Sequence, residues 1–141
     1  TNLTRNTVGQ MYLALRRDDI DEALDIARSF FAGIPYEEGT LKDTPTSEGH
    51  FTAMLYVMFS FLNVYVYAQV RTANGRMDML LKPDTASYVM ELKINGSVDD
   101  ALRQINDKGY TIPYEADGRK VVKVGINFST EDRTIKEWKV E

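Results

Sequence analysis

The stretch "GRMDMLLKPDTASYVMELKI", residues 75–94, decides the fold. Pro83-Asp84 splits it into two apolar runs, which reads as two β-strands joined by a turn, Arg76–Leu81 and Tyr88–Ile94. Side chains alternate along a strand, so Tyr88, Met90, Leu92 and Ile94 share one face and Val89, Glu91 and Lys93 the other. By the same rule Met77, Met79 and Leu81 share a face, and Asp78 lies opposite with Leu80. Glu91 and Lys93 are then about 7 Å apart along their strand, and the neighbouring strand is ~4.8 Å away. In the right register Asp78 and Glu91 meet at one point with Lys93 beside them.

Moving outward, "ANGR" before Arg76 carries an Asn-Gly hairpin signal, preceded by a β-branched and aromatic strand from Val64 to Val70. Upstream, Phe51, Met54, Leu55, Met58 and Leu62 recur at helical spacing. Thr46 and Ser47 are candidate N-caps for that helix, and Glu48 falls in its first turn, where the helix dipole favours an acid. Glu48 also extends the apolar stripe at its N-terminal end. "GIPYEEGTLKDTPT" reads as a loop. Before it, Val8, Met11, Tyr12 and Leu15, then Ile20, Ala23, Leu24, Ala27, Phe30 and Phe31, mark an antiparallel helix pair. Downstream, Ser97 with Asp100 resembles a capping box, and its helix runs to about Lys108 and stops at Gly109. Val121–Phe128 and Thr134–Val140 are two further strands. The expected order is ααα-βββ-α-ββ: an α/β fold with helices against a mixed sheet, in a single domain spanning residues 1–141.

Composition narrows the chemistry. The chain has 141 residues, no cysteine and one histidine. Disulfides, thiolate metal sites and His-rich zinc sites are excluded. A Ser-His-Asp triad would need His50, and no Gly-x-Ser-x-Gly elbow accompanies it. The formal net charge of -4 argues against gripping nucleic acid by bulk electrostatics, so any such contact needs a local patch, a metal ion or another part of a larger protein. Nothing at the start reads as a signal peptide, and the apolar run Phe51–Ala68 changes period half-way, so no membrane span and a cytoplasmic location are expected.

Two carboxylates held close together repel unless they share a proton or a cation. A hard divalent ion such as Mg²⁺ takes oxygen ligands and lowers the pKa of its water, which suits attack on a phosphodiester. A lysine alongside orients that water or neutralises charge developing on phosphate. The pattern D-x12-E-x-K is loose, and an ordinary exposed strand face carrying Glu and Lys also satisfies it. The helix after Ser97 puts Ala101, Gln104, Ile105 and Lys108 on one face, so it either brings Gln104 and Lys108 towards the carboxylates or ends its packing stripe in polar rim residues.

With these residues in hand, the chain resembles the PD-(D/E)XK nuclease superfamily, whose restriction-endonuclease-like core is α-β-β-β-α-β. The match runs from Glu48 to Phe128 (core 46–128), with a helical N-terminal extension in 1–40 and an extra C-terminal strand in 129–141. More narrowly it resembles the nuclease-like domain that bacterial proteins carry C-terminal to an AAA-ATPase-like domain. The segments that carry this are "FFAGIPY", "SEGHF", "GRMDMLL", "YVMELK", "ALRQINDKGYTIPY", "VVKVGINFS" and "IKEW". The resemblance implies Asp78 and Glu91 as metal ligands for Mg²⁺ (or Mn²⁺), Lys93 as the catalytic lysine and Glu48 as an accessory acid and metal ligand. It implies Gln104 as the glutamine that RecB-like members place near the site. Tyr110 lies six residues beyond Gln104, further than the four usual in those enzymes, and Met77 stands where the family name has proline. The implied function is metal-dependent hydrolysis of nucleic acid, with DNA as the expected substrate. The rival is a non-catalytic module of the same fold that binds an ATPase domain, another copy or a nucleic-acid end. A small-molecule hydrolase has no motif behind it.

Overall fold

The computed structural model describes residues 5–34, 48–62 and 65–141, with the side chains of Arg5 and Glu48 outside that description. The expected caps Thr46 and Ser47, most of the loop before them, and Val64 therefore lie outside the described residues. Four helices are seen among them: α1 (Arg5–Arg16), α2 (Ile20–Ala32), α3 (Glu48–Ser60) and α4 (Val98–Asp107). Five strands form one sheet: β1 (Tyr65–Thr72), β2 (Gly75–Lys82), β3 (Ala86–Ile94), β4 (Lys120–Ser129) and β5 (Thr134–Val140). The spatial order follows the chain, β1-β2-β3-β4-β5. All neighbours are antiparallel except β3 and β4, which are parallel. That parallel step requires a crossover, and α4 supplies it. The expected mixed α/β sheet, with helices before, within and around it, is the observed architecture.

Local chemistry sets the helix ends. Ser97 accepts a hydrogen bond from the Asp100 N–H (3.0 Å) to open α4, and Gly109 follows its end at φ +62°. Asp19 caps α2 in the same way, accepting from the Glu22 N–H at 3.0 Å. A short 3₁₀ turn, Ile112–Tyr114, lies between α4 and β4 and carries no strong sequence signal.

The sheet separates two apolar cores. The larger collects α1, α2 and α3 on Met79, Leu81, Tyr88, Met90, Leu92, Val124, Ile126 and Phe128. Phe51 of α3 stacks on Phe128 of β4 with ring centroids 4.1 Å apart, and Phe31 of α2 meets Phe128 edge-on at 5.5 Å. This aromatic trio anchors the first turns of α3 to the sheet. The smaller core packs Leu102 and Ile105 of α4 with Met77, Leu80, Val89 and Tyr110. Gly125 lets α4 lie close: a Cβ there would stand 2.7 Å from the Val98 carbonyl oxygen.

The β1–β2 turn differs by one residue from the expected Asn-Gly position. Thr72 pairs with Gly75, so the turn residues are Ala73 and Asn74, and Gly75 opens β2. Gly75 is needed for another reason. Its φ is +154°, and a Cβ would come within 2.9 Å of the Tyr110 hydroxyl. Among the described residues no helix is long and apolar enough to cross a membrane.

Candidate functional site

The β2–β3 ladder pairs Leu81 with Tyr88, Leu80 with Val89 and Met79 with Met90. One step further along the same count, Asp78 comes opposite Glu91. Side chains take over from the backbone at this point. The Asp78 N–H donates to Glu91 Oε1 (3.1 Å), and the Leu92 N–H donates to Asp78 Oδ2 (2.8 Å). Each carboxylate accepts a bond that a strand carbonyl would otherwise take, so both are fixed where the two strands part.

Strand alternation also breaks here. Met79 and Leu81 belong to the larger core, but Met77 belongs to the smaller one with Leu80. Met77 therefore does not share a face with Met79, contrary to the simple alternation expected from the sequence. The β1 residue between Ala68 and Val70, which pair with Met79 and Met77, is Gln69, at φ +55°. A left-handed residue inside a strand reorients the chain on either side of it. The distal hairpin is thus rolled relative to the rest of the sheet, and Asp78 lies at the roll.

The electrostatics follow from burial. Glu91 is 2% exposed and Asp78 is half-buried. Burial raises the pKa of Asp78 above the usual carboxylate range, against the opposing hydrogen bond from Leu92 and the positive charges of Lys93 and Arg76. Burial, reinforced by the negative charge of Asp78, pushes Glu91 from an ordinary 4.5 up to about 8. The two acids hold more protons than exposed acids would, because the surrounding positive charge does not offset their desolvation.

Lys93 Nζ donates to Gln104 Oε1 at 2.6 Å. Of the two outcomes left open for this helix face, Gln104 turns towards the charged strand face and bonds the lysine. The close approach of α4 at Gly125 is part of the cause, since Gly125 pairs directly with Glu91. Asn127 secures the start of the crossover, with Oδ1 accepting from the Gly96 N–H (2.9 Å) and Nδ2 donating to the Gly96 carbonyl (3.1 Å). Lys108, the other polar residue on that helix face, lies at the hairpin, its stem beside Gly75. Tyr110 is buried and donates to the Arg76 carbonyl at 3.1 Å, so it braces the hairpin.

Asp78 opens onto a cleft of about 530 Å³ lined also by Gly49, Thr52, Ala53, Ala68, Gln69 and Arg76. The first turns of α3 form one wall. Glu48 is the first residue of that helix, and its side chain lies outside the described residues. His50 is not among the cleft residues; burial lowers its pKa and its ring meets Phe51 edge-on. Sequence reasoning did not single out Gln69, Arg76 or Thr52. Pairing across β1 and β2 brings Gln69 to Asp78, which no local pattern signals, whereas Arg76 precedes Asp78 by two residues on the same strand.

The site thus sets two acids at the divergence of adjacent strands, with a lysine two residues on, in an α/β fold with a mixed five-stranded sheet. Residues 46–138 match the family model of the PD-(D/E)XK nuclease superfamily, and the chain belongs to that superfamily. It is also 30% identical over 135 residues to the "Uncharacterized protein in vnfD 5'region" of Azotobacter chroococcum mcd 1. That match covers 94% of this chain but only 26% of the relative, so the chain spans about a quarter of that protein's length. Members of the superfamily generally use divalent metals, and the donors present fit one: two hard carboxylate oxygens donors side by side, both desolvated and short of positive charge. Among the described residues no group of three or more His, Cys, Asp or Glu side chains gathers as a metal cage.

Proposed function

We propose that the chain is a Mg²⁺- or Mn²⁺-dependent phosphodiester hydrolase acting on DNA. The observation that carries this reading is the Asp78–Glu91 pair, buried at the strand divergence with raised pKa values and open to a cleft on the Asp78 side. Asp78 and Glu91 would hold the ion, with Glu48 as the accessory acid from α3. The ion, when bound, supplies Lewis acidity to a phosphoryl oxygen and makes water a better nucleophile near neutral pH. In the reaction water adds at phosphorus, one ester P–O bond breaks, and the leaving oxygen takes a proton. Lys93 places a positive charge beside the acids, where it offsets charge developing on the phosphate or orients the water. Gln104 fixes the lysine through the 2.6 Å bond and so sets the position of its ammonium. Residues 46–128 form the working core in this reading, with the helices in 1–40 and the strand in 129–141 as additions. The partner is DNA, and the wider setting is a longer bacterial protein with an AAA-type ATPase part upstream.

The test is cleavage of plasmid and linear DNA with Mg²⁺ or Mn²⁺, compared with EDTA. Asp78→Ala and Lys93→Met are expected to abolish cleavage while the far-UV spectrum stays native. Metal-dependent cleavage at an unchanged rate in Asp78→Ala would overturn the assignment.

A second reading, a non-catalytic module of the same fold, has its own observation. Both acids already accept backbone hydrogen bonds, and Glu91 is almost wholly buried, as structural acids are. The net charge of -4 points the same way. Titration with Mn²⁺ separates the two, because a module that uses these acids only to hold strands together binds no ion there.

A further inference from the structure

The β1–β2 hairpin carries an arrangement that costs stability. Arg71 and Arg76 are paired directly across the two strands, and both are exposed. Like charges placed opposite one another in an antiparallel pair destabilise it. Among the described residues neither guanidinium has an ion pair or a side-chain hydrogen bond that would offset this. The positive charge of Arg76 reaches Asp78 but is the weakest of the influences on it. The backbone that carries the arginine pair is anchored. Val70 and Met77, the adjacent cross-strand pair, pack into the smaller core on the opposite face of the hairpin. Tyr110 ties down the Arg76 carbonyl, and the Lys108 stem lies against Gly75, adding a third cation to this end of the molecule.

Arg76 lines two clefts. One is the Asp78 cleft; the other is lined by Arg71, Thr72, Gly75 and Arg76. Arg76 thus borders both clefts, and it stands two residues, or about 7 Å of strand, from Asp78. A chain of net charge -4 has here a concentrated positive site, without an ion pair among the described residues, beside its candidate catalytic cleft.

We propose that Arg71 and Arg76 form a phosphate clamp that grips the backbone of duplex DNA beside the scissile position. They are positioning residues, and the proposal rests on the nuclease reading for the identity of the ligand. Arginine suits the task because its planar fork binds phosphate oxygens in pairs and stays charged at all working pH. The clamp answers the difficulty that the acidic composition poses: binding comes from a local pair of charges and not from the overall field.

The experiment is fluorescence anisotropy of a short fluorescein-labelled DNA duplex with the full chain, in EDTA and in Ca²⁺, at salt from about 50 to about 200 mM. Each phosphate contact contributes about 0.9 to the slope of log affinity against log salt. The double variant Arg71→Gln/Arg76→Gln is expected to flatten that slope by about 2, and Arg71→Lys/Arg76→Lys to keep it. Lys136→Gln, exposed on β5 at the other edge of the sheet, is expected to leave it unchanged. The Tm of the Gln/Gln variant should equal or exceed that of the wild type, since a repulsion is removed. An unchanged slope, absence of duplex binding by the wild type, or a lowered Tm accounting for the lost binding would overturn the clamp. Arginine-dependent binding without cleavage in Mg²⁺ would remove the hydrolase reading and leave the clamp standing.

Discussion

Glu91 shows how a single residue ties stability to chemistry. Its pKa is raised on folding, so the folded state holds a proton that the unfolded state releases from about pH 4.5 upward. The stabilisation from the protonated form is complete below that ordinary value and is lost as pH rises through about 8. With chelator present, the Tm is therefore expected to fall over this window, and Glu91→Gln should flatten the dependence, as followed by thermal melts across pH. A melt profile equally steep in Glu91→Gln would place the cause elsewhere. The amide keeps an oxygen to accept the Asp78 N–H, so the strand junction is retained. At this scale the sequence indicates that Asp78, Glu91 and Lys93 meet if the register is right, and it leaves open whether the helix face turns Gln104 towards them. It did not reveal that the acids replace backbone carbonyls in the ladder. That depends on where the two strands separate, and pattern alone does not encode the separation.

At the scale of elements, α4 and the hairpin are held by two glycines whose roles emerge only in three dimensions. Gly125 reads as one residue of a buried strand, yet it faces α4 at backbone contact distance and pairs with Glu91. Gly125→Ala would force the helix outward, because the Val98 carbonyl is main chain and cannot swing aside. Overpacking of this kind costs about 1–3 kcal/mol, read as a lower denaturation midpoint. The same shift should lengthen the Lys93–Gln104 contact and reduce any metal-dependent cleavage more than the stability loss explains. Gly75 signals a turn in the sequence but serves as the seat for Tyr110. Tyr110→Phe removes the bond to the Arg76 carbonyl and is expected to cost about 0.5–1.5 kcal/mol. Hydrogen exchange should then quicken in β1 and β2 while the protection of β3 and β4 holds; uniform quickening would argue that Tyr110 braces the whole core. The element order was legible from period, caps and breakers. The roll at Gln69 and Asp78 was not, because Gln69 carries no glycine-like signal for its left-handed backbone.

For the molecule as a whole, the site lies where two cores divide. Met79 commits β2 to the core beneath α1–α3, Met77 commits it to the core beneath α4, and Asp78 occupies the crossing. Each core is held by its own apolar contacts, while the carboxylates between them are desolvated and under-neutralised. A divalent ion seated there would relieve the repulsion and join the rolled hairpin to β3, so binding should stabilise the global fold. Linkage sets the size: at a free ion concentration of 100 times Kd the gain is about 2.7 kcal/mol. For a chain of this length each kcal/mol is worth roughly 3 °C or more in Tm. Mn²⁺ is therefore expected to raise the wild-type Tm by several degrees in a concentration-dependent manner, with the rise growing from pH 6 towards about 8 as the proton on Glu91 becomes easier to displace. Asp78→Asn, which keeps an oxygen for the Leu92 N–H, should show little rise. Scanning calorimetry over a Mn²⁺ series distinguishes the outcomes: equal shifts in wild type and Asp78→Asn would mean the ion binds away from the crossing, and no shift in the wild type would mean that the buried acids serve only to join the strands.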